Sequence, residues 1–327
     1  MLLQNDELLV AFEAVKIASE LCRNIQHRII VDQLTKNDRS PVTVADYCSQ
    51  AIICKAIRMA FPNDPIIAEE GSKGLREEKG GILSKKIIKE LHTFFPDVDN
   101  ESIYRWIDYG NSTSYSDRFW TLDPIDGTKG FLRKDQYAIS LALIENGEIK
   151  LGVLSCPNLA KHDPKVDKSG LMFIAQKGYG SFALSISGSL GDAENIRTNT
   201  SANISECAIC ESWESGHSNH SKSTVISKSL GISKPSVRID SQAKYALVAM
   251  GKADIYLRLP TQKGYHEKIW DHAAGVLLVE EAGGKVADIF GNKLDFTKGT
   301  KLTENRGVVV SNSADIQNQL LDSIATI

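Results

Sequence analysis

The chain has 327 residues, 42% of them hydrophobic and 24% charged, with a formal net charge of −3. That length predicts two domains or one large two-part fold. The small negative charge excludes a general attraction to nucleic acid polymers or anionic membranes, so a phosphorylated ligand must be held by local features.

In chain order, residues 8–22 show helical spacing of apolar side chains and predict an amphipathic helix capped by Asn5 or Asp6. A second helix is expected over about 43–60, stopped by Phe61-Pro62-Asn63-Asp64-Pro65, because proline cannot continue it. Ile66-Ile67-Ala68 predicts a short buried strand with Glu69-Glu70 at its end. Residues 71–81, rich in glycine and charge, predict a mobile loop, and 84–95 another helix.

From Arg118 the pattern turns to strands. Residues 137–144 and 149–154 flank Glu145-Asn146-Gly147-Glu148, a hairpin signal. Residues 171–175 and 181–184 predict a second hairpin around Gly178, and 161–169 form a polar insertion. Residues 192–205 are polar and weakly patterned, which places a domain boundary near 200: an α+β domain over 1–200 and an α/β domain over 201–327. Beyond it, strands are expected at 207–210, 236–239, 254–259, 285–287 and 307–310, and helices at 242–250, 270–282 and 314–325. Gly283-Gly284 suits a helix end. An antiparallel-rich first part and an alternating second part predict a layered α/β sandwich.

The start, Met1-Leu2-Leu3-Gln4-Asn5-Asp6-Glu7, lacks the basic and apolar regions of a secretory signal. No apolar run approaches the roughly 20 residues of a membrane span. Cys22, Cys48, Cys54, Cys156, Cys207 and Cys210 are scattered, as in a reducing compartment. A cytoplasmic enzyme, monomeric and acting on a small molecule, is the expectation, with an organelle as the alternative should a transit peptide have been removed.

Asp123-Pro124-Ile125-Asp126-Gly127-Thr128 follows the apolar run Phe119-Trp120-Thr121-Leu122. Two carboxylates at the end of a strand, followed by a chain segment with free N–H groups, suit a divalent cation with a phosphate. The same residues could make only a capped turn, since Asp-Pro and Asp-Gly are common turn dipeptides. Glu69-Glu70 could be a solvated loop start, Asp271 an acid complementing a helix dipole, and Asp46 an ordinary surface acid.

Taken together, these segments narrow the choice. Ser40-Pro41-Val42-Thr43-Val44-Ala45-Asp46, Glu69-Glu70, residues 118–133, Asp240-Ser241-Gln242-Ala243-Lys244-Tyr245, Tyr256-Leu257-Arg258-Leu259-Pro260 and Glu267-Lys268-Ile269-Trp270-Asp271-His272-Ala273-Ala274-Gly275 span most of the chain. In that order they resemble the inositol-monophosphatase-like superfamily of Mg2+-dependent, lithium-sensitive phosphatases, and within it the branch that acts on adenosine 3′,5′-bisphosphate.

The resemblance implies an α-β-α-β-α sandwich of the inositol monophosphatase/fructose-1,6-bisphosphatase type. It implies two to three Mg2+ per site: Glu69, Asp123 and the Ile125 carbonyl for the first, Asp123, Asp126 and Asp271 for the second, Glu69 and Asp46 for a weaker third. Thr128 and Asp46 would orient and deprotonate the attacking water, with N–H groups around Gly127 and Thr128 on the phosphate. His217, Ser241, Lys244 and Arg258 would contact the nucleotide, with His220 competing for the place of His217. The implied reaction gives AMP and phosphate, and 3′-phosphoadenylyl sulfate and inositol 1,4-bisphosphate are further substrates to expect. Sulfur assimilation and salt tolerance are the implied settings. An inositol or sugar phosphatase and a silent phosphate-binding regulator are the rival readings.

Two features stand apart from the resemblance. Ala68 replaces the glycine usual before the acidic pair, and Cys207-Ala208-Ile209-Cys210 mimics a redox or zinc motif but sits in a strand-like apolar setting that argues for structural thiols. No Gly-x-x-x-x-Gly-Lys-Ser/Thr run is present, which argues against a P-loop enzyme.

Overall fold

The computed structural model describes residues 2–29, 40–160, 169–200, 203–213, 220–262 and 264–326. His217 and most of the 161–169 insertion lie outside the described residues, as does the side chain of His220.

Helix α1 (Asp6–His27) begins where Asn5 Oδ1 accepts the Leu8 N–H at 3.1 Å. Its Leu8, Phe12, Val15, Ala18, Cys22 and Ile25 are buried, and they pack on α2 (Ser40–Ala60). Strand β1 (Ile66–Ala68) follows, then α3 (Lys73–Glu77), α4 (Ile82–Leu91) and α5 (Asn100–Asp108). The segment read from sequence as a loop thus holds a short helix. Leu75 is buried there, and Asp108 accepts both the Ser72 N–H (3.0 Å) and the Ser72 hydroxyl (2.7 Å), which fixes the backbone. Helix α5 was not expected. Asp99 caps it by accepting the Ser102 N–H at 2.8 Å, and Ile103, Trp106 and Ile107 form its buried face.

Strand β2 (Arg118–Asp126), α6 (Thr128–Leu132), β3 (Ala138–Glu145), β4 (Glu148–Cys156), β5 (Leu171–Gln176), β6 (Gly180–Ser185) and β7 (Glu194–Ile196) complete the first part. The sheet order is β1-β2-β3-β4-β5-β6-β7, with β1 parallel to β2 and the other pairs antiparallel. The expected hairpins at Asn146-Gly147 and Gly178 are both present.

The second part runs β8 (Ile209–Glu211), α7 (His220–Ser229), β9 (Val237–Arg238), α8 (Ala243–Ala249), β10 (Ile255–Arg258), a 3-10 turn (Ile269–Asp271), α9 (Ala273–Glu281), β11 (Lys285–Ala287), β12 (Val308–Ser311) and α10 (Ala314–Ala325). Its sheet order is β11-β12-β10-β8-β9. Helix α7 was also missed; Ile226 is the buried apolar residue of a serine-rich segment.

Three cores separate the layers. One joins α1 and α2 to one face of the seven-stranded sheet, through Trp120, Leu122, Ile139 and Leu141. The second takes the other face (Phe119, Ala138, Ala142), helices α8 and α9, and Tyr256, Val308 and Val310 of the second sheet. The third places Ile255, Leu257 and Val309 against Ile226 of α7 and Ile316 and Leu320 of α10. The order is α-β-α-β-α. Alternate residues of one strand enter different cores, as the two-residue pleat requires, and each fully buried Leu, Ile or Phe contributes about 1.5–3 kcal/mol. Among the described residues, no helix is long and apolar enough to cross a membrane.

Candidate active site

Regular pleating would place Asp123 and Asp126 on opposite faces of β2, because their spacing is odd. The strand avoids this with a bulge. Asp123 pairs with Ser140 and Asp126 with Ala138, so three steps on β2 match two on β3. One extra residue turns both carboxylates toward the face that meets α8 and α9. The Ile125 side chain packs in the α1–α2 core, so Ile125 meets the site through its backbone. Gly127 then takes a left-handed φ of 91°, and Thr128 opens α6.

A cavity of about 380 Å3 lies over this corner. Glu69, Asp123, Ile125, Asp126, Gly127 and Thr128 line it from the first sheet, and Ser241, Lys244, Arg258 and Asp271 from the second part. Of the residues expected at the site, these ten come together. Asp46 is buried nearby without lining the cavity.

The acidic end is crowded. Asp123 is buried, and burial followed by the charges of Glu69, Asp126, Asp271 and Asp46 drives its carboxyl well above the usual range. Glu69 is exposed at the cavity, and loss of hydration there, with Asp271, Glu70 and Asp126, pushes it up to about 8. Burial lifts Asp271 to about 6, against the pull of Arg258. Asp46 is raised by burial, then by Glu70 and Glu69. Like charges so placed repel unless protons or cations lie among them.

Two cations line the same cavity. Burial lowers the Lys244 ammonium, which donates to the Ser241 carbonyl at 2.7 Å and lies 5.3 Å from the Tyr256 ring centre. Arg258 Nε lies 2.7 Å from Glu267 Oε2, an ion pair off the line of a hydrogen bond, and its Nη2 donates to Asp271 Oδ2 at 3.3 Å. Burial raises the Glu267 carboxyl, but the His272 hydrogen bond and the Arg258 charge outweigh it and hold it at about 2. Glu267, Asp271 and His272 offer ligating atoms within 4.8 Å of one another. The Arg258 guanidinium already balances that trio.

Comparison with known proteins places the chain. Residues 4–327 match the profile of the inositol monophosphatase family. The chain belongs to that family. Relatives include the 3′(2′),5′-bisphosphate nucleotidase of Emericella nidulans, 42% identical with 97% of each chain covered, and that of Dictyostelium discoideum, 43% identical with 96% of this chain and 95% of the relative covered. Among solved structures, an inositol monophosphatase from Anabaena superposes with a TM-score of 0.63 at 20% identity, over 98% of this chain and 95% of that one. CysQ from Bacteroides thetaiotaomicron superposes with a TM-score of 0.62 at 20% identity, over 94% and 98%. These superpositions show the inositol monophosphatase fold.

The inositol monophosphatase family is metal-dependent, and the residues here fit a cation. Asp123 Oδ1 is buried with no hydrogen-bond partner among the described residues, among the carboxylates of Glu69, Asp126 and Asp271, a donor set that suits a hard divalent ion.

Sequence reasoning missed several residues of this family site. Gln242 is the chief one. Its backbone N–H donates to Asp126 Oδ2 (2.6 Å), its amide to the Trp270 carbonyl (2.9 Å), and its Oε1 accepts from Ser140 (3.2 Å). It stands inside the Asp-Ser-Gln-Ala-Lys-Tyr motif, where only its neighbours were singled out. Tyr265, Gln262 and Thr261 line the cavity from the loop after β10, and nothing in their spacing marked them.

Proposed function

We propose that this chain hydrolyses the 3′-phosphate of adenosine 3′,5′-bisphosphate to AMP and phosphate, and hydrolyses 3′-phosphoadenylyl sulfate as well. The observation that carries this is the mixed lining of the cavity. Its carboxylates suit a metal-held phosphate, and Lys244 and Arg258, which line the same cavity, suit a second anionic group. A neutral inositol ring needs no such pair of cations. The names of the relatives agree with this reading.

In this reading Glu69, Asp123, the Ile125 carbonyl, Asp126 and Asp271 would hold Mg2+, two to three ions per site with Asp46 near the third. Bound there, Mg2+ supplies an acidified water and neutralises phosphate charge. Thr128 and Asp46 would hold the attacking water and take its proton. The N–H groups around Gly127 and Thr128 would hold the phosphate oxygens. Water oxygen bonds to phosphorus, the bond from phosphorus to the 3′-oxygen breaks, and that oxygen leaves as a hydroxyl. Ser241, Lys244 and Arg258 would hold the nucleotide through its 5′-phosphate, as would His217, which lies outside the described residues.

The test compares turnover of adenosine 3′,5′-bisphosphate and inositol 1-phosphate at saturating Mg2+. Preference for the bisphosphate is expected, and preference for the inositol ester rejects the reading. Asp123→Ala should abolish phosphate release with the fold intact by circular dichroism; wild-type turnover in that variant would remove Asp123 from the site.

A further inference from the structure

Three segments singled out in the sequence meet beside the acidic cluster. His272 is fully buried, and its two ring nitrogens are both engaged: Nε2 lies 3.3 Å from Glu267 Oε2 and Nδ1 lies 2.7 Å from the Tyr245 hydroxyl. A carboxylate can only accept, so Nε2 carries the proton, and Nδ1 accepts from Tyr245; the tautomer is assigned from these partners. The chain of contacts runs Tyr245 to His272 to Glu267 to Arg258, joining α8, the start of α9, the loop before the 3-10 turn, and β10.

Arg258 stands between two carboxylates. Glu267 holds it at 2.7 Å and Asp271 at 3.3 Å. Asp271 is the carboxylate that also faces the acidic end of the cavity. A guanidinium drawn fully onto Asp271 would compete with a cation for the same oxygens and would offer less to a second anionic group in the cavity. Glu267 opposes that shift. It can do so only while its own carboxylate is fixed, and His272, locked by Tyr245, fixes it.

We propose that Glu267 is the positioning residue of Arg258, sharing the guanidinium with Asp271 so that it is not drawn fully onto that carboxylate, with His272 and Tyr245 as its support. This rests on the bisphosphate reading for the identity of the group that Arg258 meets. It makes no such demand for Asp271, whose cation affinity is measurable without substrate.

The test uses the full chain. Mg2+ binding is measured by titration calorimetry in the absence of substrate, and KM is measured for adenosine 3′,5′-bisphosphate and for adenosine 3′-phosphate, which lacks the second phosphate. Glu267→Gln should raise KM for the bisphosphate by about tenfold and for the monophosphate by less than about threefold, and should weaken Mg2+ binding severalfold. Tyr245→Phe, which removes only a hydroxyl, should act in the same direction by about threefold and add nothing in the Glu267→Gln background. If Glu267→Gln does not fold, Tyr245→Phe alone still tests the chain. Equal KM changes for the two substrates, unchanged Mg2+ affinity, or additive effects of the two substitutions would each overturn the proposal. If the unaltered protein shows no preference for the bisphosphate, the functional reading fails while the Mg2+ titration still decides the role of Glu267 toward Asp271.

Discussion

Asp126 Oδ2 accepts the Gln242 backbone N–H at 2.6 Å, so a carboxylate of the seven-stranded sheet holds the entry to helix α8. The same carboxylate faces the cavity, and substitution separates the two duties. Asp126→Asn keeps an acceptor for Gln242 and loses the charge, whereas Asp126→Ala loses both. Turnover should fall by about a thousandfold in each. Stability in urea should fall only in the alanine variant, by roughly 1–3 kcal/mol. Equal stability in the two variants would show that the tether contributes nothing.

The crowded carboxylates set a pH dependence for the metal-free protein. Glu69 rises from 4.5 to about 8 and Asp271 from 3.8 to about 6 on folding. Between those limits the folded state holds more protons than the unfolded state, so stability falls as pH rises. With a chelator present, the urea midpoint should decline from pH 4.5 to about 8, and Mg2+ should restore it. A midpoint that stays flat or rises across that range rules this out.

Ser241 adopts a left-handed φ of 70°, and Lys244 Nζ donates to its carbonyl. A β-branched side chain is strained in that region. Ser241→Val should lose about 2 kcal/mol, while Ser241→Gly should keep the fold. Thermal melting of the two variants distinguishes them, and matching values would deny any strain at this position.

Gly275 lies under the Tyr245 ring, and a β-carbon there would come within 2.4 Å of Tyr245 Cδ2. Gly275→Ala should therefore cost about 1–3 kcal/mol by forcing α8 from α9. Adding Tyr245→Leu should recover part of it. A melting temperature unchanged by Gly275→Ala would mean that the two helices separate freely.

All six cysteines are buried and unpaired. Burial pushes Cys207 up to about 11 and Cys210 up to about 12, so neither supplies a thiolate near neutral pH. An aromatic disulfide reagent should label no thiol in the native protein and six in guanidinium. Rapid native labelling of Cys207 or Cys210 would reopen a redox reading.

Much of this was legible from the residues. Apolar spacing gave α1, β1 and both hairpins, because each follows from local burial and turn chemistry. Helix α5 escaped despite the spacing of Ile103, Trp106 and Ile107, since acidic residues and Pro96 mask its start. The acids Asp123 and Asp126 were legible as a pair. Their shared face was not, because it depends on a bulge set by pairing with Ser140 and Ala138. Gln242 was hidden for a related reason: it acts through Asp126, Ser140 and Trp270, distant in sequence, and no local pattern records such contacts.

The two-sided lining of the cavity has a consequence for how the protein is made. Glu69, Asp123 and Asp126 emerge from the ribosome well before Lys244 and Arg258. A nascent chain of the first 200 residues carries an acidic cluster without the cations that later face it, and without the Gln242 N–H that later caps Asp126. During synthesis, this corner gains its electrostatic balance only in the last third of the chain.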